Sequence, residues 1–284
     1  MKKSVLSTIL CLFCLASYGQ NIAQRDNVLW DMNYYNPAMI TRPTGIYVDA
    51  YLRIDANPVK LDYVNPLDIA AETFVVRDNY TWQATMSHDG LSYFDATALS
   101  VAYSHRFDFG AEKEHGIRAG GRIIVGHGRI DYSKLPYGMQ GYSIMVRPDL
   151  DFGFDYRYRF FHIGMSIKNV LSLPIKDEDG MVYFRYPRAG LGHIMFDINA
   201  GRNIIINPYL MMGVTQNIFL DAGFGMTLFK NYHLAYSFHG PDMAHHFGIA
   251  AEIVNRLRIE CGYRLCPSHD NAALTVKLCV RLAD

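Results

Sequence analysis

Residues 148–160 read PDLDFGFDYRYRF. Leu150, Phe152, Phe154, Tyr156 and Tyr158 fall on one parity; Asp151, Gly153, Asp155, Arg157 and Arg159 fall on the other. A strand sends successive side chains to opposite faces, so this order predicts a strand with one apolar and one charged or glycine-bearing face. An amphipathic helix would repeat its apolar positions every three or four residues instead. The next residues continue the pattern: Phe161, Ile163, Met165 and Ile167 oppose His162, Gly164, Ser166 and Lys168.

Working outward, the same period recurs along the chain. Ile46, Val48, Ala50, Leu52 and Ile54 oppose Tyr47, Asp49, Tyr51 and Arg53. Ile117, Ala119, Gly121, Ile123 and Val125 oppose Arg118, Gly120 and Arg122. Towards the C-terminus, Leu257, Ile259, Cys261, Tyr263 and Leu265 oppose Arg258, Glu260, Gly262 and Arg264. Leu274, Val276, Leu278, Val280 and Leu282 oppose Thr275, Lys277, Cys279 and Arg281. Turn-rich breaks of two kinds, short and long, separate these runs. About fourteen strands are expected, most of a length suited to a membrane crossing of about 9–11 residues.

Two all-β architectures share this alternation. A soluble sandwich turns its polar face to water. A transmembrane antiparallel β-barrel turns its apolar face to lipid and its polar face to the lumen. Charged and glycine-rich polar faces, aromatic residues near strand ends and the two classes of break favour the barrel. Closure follows from physics, because an unpaired sheet edge in lipid costs several kcal/mol per group. The lumen-lining set is then Arg53, Arg118, Arg122, Arg157, Arg159, Lys168, Arg258, Glu260, Arg264, Lys277 and Arg281. These side chains either pair with one another to fill the lumen or line a pore.

The N-terminus reads MKKSVLSTILCLFCLASYGQ: a basic start, a short apolar run and small residues at Ser17 and Gly19. This predicts a secretory signal peptide over 1–19, too short for a comfortable membrane span. Phe13 before Cys14 departs from a lipidation site. Without residues 1–19 the chain keeps 25 basic and 27 acidic side chains, a balance that gives no footprint for nucleic acid. Cys261, Cys266 and Cys279 are too few for a disulfide framework, and free thiols are expected.

No stretch asks for a cofactor, a metal or a catalytic centre. Adjacent His245 and His246 point to opposite faces of a strand and do not converge with His239 on one ion. GGRIIVGHG (120–128) has phosphate-loop glycine spacing, but His127 stands where lysine is required and a strand pattern runs through it. There the expected role of glycine is to relieve crowding on the lumen face. Asp177, Glu178 and Asp179 read as a solvated loop.

Ahead of the first strand lies DNVLWDMNYYNPAMITRPTG, with Asn36, Pro37 and Ala38 after an aromatic cluster. This lead-in, the strand ending YLRID, and the stretches FDYRYRFFHIGMSIKNVL and LDAGFGMTLFKNYHLAYSF resemble the PorP/SprF family, outer-membrane proteins of the type IX secretion system of Bacteroidetes. The resemblance implies a non-enzymatic accessory of protein secretion at the outer membrane. Its role would lie in export or surface anchoring of secreted proteins, including gliding adhesins. Its implied partners are outer-membrane lipid, secretion components and the C-terminal domains of secreted cargo. The expected organisation is a signal peptide (1–19), an N-terminal periplasmic segment (20–44) and an outer-membrane barrel (45–284). In a barrel, Trp30, Tyr34 and Tyr35 belong either at the periplasmic interface or in a plug, and Asn36-Pro37-Ala38 is a rigid turn into strand one. The competing functions are a porin or small-solute channel and a soluble exported binding protein.

Overall fold

The computed structural model describes residues 28–40, 42–56, 67–91, 94–110, 114–131, 142–173, 175–176, 182–184, 187–215, 218–240, 243–254, 256–267 and 271–283. The expected signal peptide and the Asp177–Asp179 loop lie outside them. One helical turn, α1 (Met32–Tyr35), precedes the strands. The N-terminal half supplies β1 (Gly45–Ala56), β2 (Leu67–Val76), β3 (Tyr80–Leu91), β4 (Phe94–Phe109), β5 (His115–Asp131), β6 (Tyr142–Tyr158) and β7 (Phe161–Lys168). Two short strands follow, β8 (Ile175–Lys176) and β9 (Val182–Phe184), then β10 (Ala189–Phe196) and β11 (Ile198–Gly201). The rest are β12 (Ile204–Val214), β13 (Ile218–Leu228), β14 (Tyr232–His239), β15 (Ala244–Val254), β16 (Leu257–Cys266) and β17 (Asn271–Ala283).

Each strand of the ring pairs antiparallel with its neighbours, β7 with β10, β10 with β12, and β17 back onto β1. The ring therefore closes with fourteen strands: β1 to β7, β10, and β12 to β17. β11 continues β10 along β12 beyond Asp197. β8 and β9 pair with each other inside the β7–β10 connection. The barrel anticipated from period two is thus present, with the anticipated strand number.

The faces invert the arrangement of a water-soluble protein. On β5, Arg122 is 6% exposed while the adjacent Ile123 is 62% exposed. On β7 the burial alternates residue by residue, with His162, Ser166 and Lys168 inside and Ile163, Met165 and Ile167 outside. Polar side chains face the lumen and apolar ones form the outer surface, as lipid requires. This closed ring replaces the soluble sandwich among the alternatives. No helix of the described residues is long and apolar enough to cross a membrane; the crossing is made by strands.

The two ends differ. At the end holding Gly45 and Ala283, hairpins turn over Arg159-Phe160, Arg202-Asn203 and Phe229–Asn231. At the other end, the longest connections span 57–66, 132–141 and 169–188. Aromatic rings gather on strand segments at the short-turn end. Trp82 lies 4.7 Å from Tyr103, and His115 stacks on Phe109 and Tyr158 at 5.3 and 4.6 Å between ring centroids. Amphipathic rings of this kind suit the membrane–water boundary.

No disulfide joins Cys261, Cys266 and Cys279. Register puts Cys266 opposite Asn271 and Cys279 opposite Arg258, so the β16–β17 ladder carries them to opposite ends of the hairpin. A Cys266–Cys279 bridge would need their Cα atoms within about 7 Å. We expect identical electrophoretic mobility with and without reductant, and full reaction of three thiols only after denaturation of the mature chain.

Candidate functional site

Residues 28–40 do not hang from the barrel; they occupy it. Val28, Leu29, Met32, Tyr35, Ala38 and Met39 are buried, although no strand contains them. Their apolar side packs on an inner-wall patch of Leu191 and Met195 from β10, Tyr209 and Met211 from β12, and Phe219 from β13. Burying side chains of this size contributes about 1.5–3 kcal/mol each.

The opposite side is held by charge. Arg122 donates to the carbonyls of Tyr34 (3.0 Å) and Asn33, and Lys168 donates to the Tyr34 carbonyl at 2.9 Å. Ser166 donates to the Tyr35 carbonyl at 2.8 Å. These carbonyls end a single turn of helix, where backbone acceptors have no partner within the helix. Lys168 also stands 3.7 Å from the centre of the Tyr34 ring. Asp31 is ion-paired to Lys277, which lies 3.5 Å from Asp49 on β1; Arg42 closes the set by pairing with Asp49. Arg258 faces the Trp30 ring at 5.2 Å, and Arg281 donates to the Thr44 carbonyl at 2.6 Å.

Asn36-Pro37-Ala38 makes the bend that returns the segment to β1. The Asn36 carbonyl accepts from Met39 N–H at 2.9 Å, a β-turn with proline at its second position, where its fixed φ belongs. The Asn36 side chain accepts from Ala38 N–H at 2.9 Å and donates to the Phe154 carbonyl of β6 at 3.0 Å. Two inner-face glycines make room for the bend. A Cβ on Gly120 would lie 2.8 Å from the Pro37 oxygen, and one on Gly153 would lie 1.9 Å from Asn36 Oδ1. Asn36→Ala removes two side-chain bonds, an expected loss of about 1–3 kcal/mol in docking of the segment. Limited proteolysis of the membrane-inserted protein would then cut within 28–44 sooner, with the barrel left intact.

The eleven charged residues picked from the sequence divide into groups. Arg122, Lys168, Lys277, Arg258 and Arg281 converge on the inserted segment, as described above. Glu260 stands beside Arg258 at 2.9 Å. Arg118 and Arg157 lie on the inner wall nearer the short-turn end and line a vestibule there. Arg53 and Arg264 act electrostatically on His246. Arg159 is different: it sits in the β6–β7 turn with φ 50° and pairs with Glu114 at 2.8 Å. Its guanidinium holds the Glu114 carboxyl below the usual range.

Several groups escaped the sequence reading. Asp31 and Asn33 precede any strand, so no alternation marks them. A chain of Asp155, His162 and His193, buried on β6, β7 and β10, extends to the half-buried Asp197 just after β10, with His–Asp contacts of 3.2 to 3.6 Å. The histidines divide as period two requires: His239 and His246 are buried in the interior, whereas His245 bonds the outer Tyr236 hydroxyl at 2.9 Å. GGRIIVGHG lies within β5. Among the described residues no three of the His, Cys, Asp or Glu side chains are placed to hold one metal ion.

Residues 17–259 match the family model described as type IX secretion system membrane protein PorP/SprF. The chain belongs to the PorP/SprF family. The PorP/SprF match spans both the inserted segment and most of the barrel. Among solved structures, the barrel is similar to the CymD monoaromatic hydrocarbon channel, with TM-score 0.63, 7% identity, and 96% of this chain and 97% of that one covered. It is also similar to the Ralstonia pickettii toluene transporter TbuX, with TM-score 0.58, 9% identity, and coverage of 87% and 92%. The Acinetobacter baumannii outer membrane protein Omp33 gives TM-score 0.54, 7% identity, and coverage of 84% and 98%. Identities this low establish a shared outer-membrane barrel fold and nothing finer. No curated protein matches the chain.

Proposed function

We propose that this PorP/SprF protein is a non-enzymatic accessory of type IX secretion, serving export or surface anchoring of secreted proteins. The observation that supports this reading is the lumen occupied by residues 28–40. An open solute pore needs a continuous wet path. Here the path is crossed by a segment anchored through Asp31, Asn36 and three backbone carbonyls to four strands of the wall, β5, β6, β7 and β17. Short turns mark the periplasmic end in outer-membrane barrels. The inserted segment joins β1 at that end, so we assign residues 28–40 to a plug entered from the periplasm. The opposite strand ends then face outwards, where secreted proteins are displayed.

The second reading is a channel, and it has one specific support: a polar vestibule of about 690 Å³ below the plug. The monoaromatic hydrocarbon channel and the toluene transporter share the barrel fold with this chain. The two readings separate on partners. Affinity purification after cross-linking in cells should recover a secreted surface protein or another secretion component in stoichiometric yield. Recovery of the barrel alone, with secretion unchanged in a deletion strain, would overturn the secretion reading.

A further inference from the structure

The chain as a whole is electrically balanced, yet its vestibule is not. Seven arginines line that cavity against Asp197, Glu252 and Glu260. Some are neutralised in place: Arg42 pairs with Asp49, and Arg258 with Glu260. Others are not. Arg118 donates only to the hydroxyls of Thr81 (3.0 Å) and Ser104 (3.3 Å), and Arg157 only to the Arg159 carbonyl. Neither has an ion-pair partner within 4 Å among the described residues.

The sheet register sharpens the point. Arg106 on β4 lies directly opposite Arg118 on β5, and Arg157 on β6 is opposite Gly116, one inward position along from Arg118. Like charges placed directly across a ladder repel. Arg106 pairs with Asp108 at 2.6 Å. Arg118 faces Asp155 across the β5–β6 ladder, but the Asp155 oxygens are turned to His193 and His162 at 3.2 and 3.6 Å. A side niche of about 40 Å³ is lined by these three arginines, by Ala38, Met39 and Ile40 of the inserted segment, and by Asp155 and His162. Guanidinium forks match carboxylates in shape and charge. The apolar Met39 and Ile40 beside them suit a side chain of the same ligand.

We propose that the vestibule binds an acidic peptide segment, with its carboxylates on Arg106, Arg118 and Arg157 and an apolar residue against Met39 and Ile40. This deepens the secretion reading, which supplies the source of such a peptide; the binding itself stands on the vestibule alone. A low-dielectric cavity with an excess of one sign of charge, here seven arginines against three carboxylates, concentrates the opposite sign at its mouth.

The test uses the full mature chain in detergent and two fluorescein-labelled peptides, Glu-Asp-Leu-Glu-Asp and Gln-Asn-Leu-Gln-Asn, read by fluorescence anisotropy. The acidic peptide should bind at least ~10-fold more tightly than its amide counterpart and weaken as salt rises. Arg118→Gln with Arg157→Gln should weaken it by ~10-fold or more, while Arg202→Gln, in a turn at the same end but outside the vestibule, should change it by less than about twofold. A heat-modifiable band confirms that each variant is folded. Equal binding of the two peptides, no binding of either, or an Arg202→Gln loss equal to that of the vestibule pair would overturn the proposal. Secretion assayed in the Arg118→Gln, Arg157→Gln strain separates the two ideas. Lost peptide binding with normal export removes the vestibule's role and leaves the secretion reading standing. Tight peptide binding by a chain whose deletion leaves export intact does the reverse.

Discussion

Gly153→Leu expels residues 28–40 from the lumen and leaves a folded, leaky barrel. A Cβ at this position would lie 1.9 Å from Asn36 Oδ1 and 2.9 Å from Pro37 Cδ, before the rest of the leucine is added. Overpacking in a closed interior costs about 1–3 kcal/mol or more. Here the strain has a ready release, because the segment is joined to the wall covalently only through β1. The β5–β6 and β6–β7 ladders run through Gly153 without using its side chain. We therefore expect a heat-modifiable band like the wild type's, with several-fold faster entry of a small sugar into proteoliposomes. An unfolded variant would be tested instead with Gly153→Ala, which adds the clashing atom alone. A folded Gly153→Leu protein as tight as wild type would show that Asn36-Pro37 does not press on β6.

Lys277→Met is the second large effect. Lys277 is 3% exposed and stands between Asp31 of the inserted segment and Asp49 of β1. Removing one partner of a buried ion pair costs about 3–5 kcal/mol, since a carboxylate is left without compensation. Arg42 still serves Asp49, so the larger loss falls on Asp31, which gives up its ion pair with Lys277. The expected result is release of the segment to protease, with the barrel band retained. Asp31→Asn in the same chain should recover part of the loss, and the double-mutant cycle should show coupling of about 0.5–3 kcal/mol. Additive effects would mean that the pair does not hold the segment.

The barrel was legible in the sequence because lipid imposes a strict rule. Every strand crossing it must present an apolar face, so 150–158 and 161–168 show their parity without any knowledge of partners. The number of strands followed from the same parity. What parity cannot show is the content of the lumen. On β10 and β12 the inner face carries Leu191, Met195, Tyr209 and Met211 while the outer face is also apolar, so the alternation there fades. Those inner apolar residues answer to Met32, Tyr35 and Met39, more than 140 residues away in sequence. Asn36-Pro37-Ala38 stood out as a turn, but Gly120 and Gly153, the room for that turn, read only as small residues on a crowded face. Arg159 shares the parity of Arg157 and yet belongs to a hairpin turn, since the strand ends at Tyr158.

Single-channel recording of the wild-type mature chain in a planar lipid bilayer tests the occupied lumen most directly. With residues 28–40 seated, the trace should stay at baseline, and deletion of 28–40 should bring steady ohmic steps. Stable open-pore steps from the wild type, unchanged by that deletion, would contradict the account.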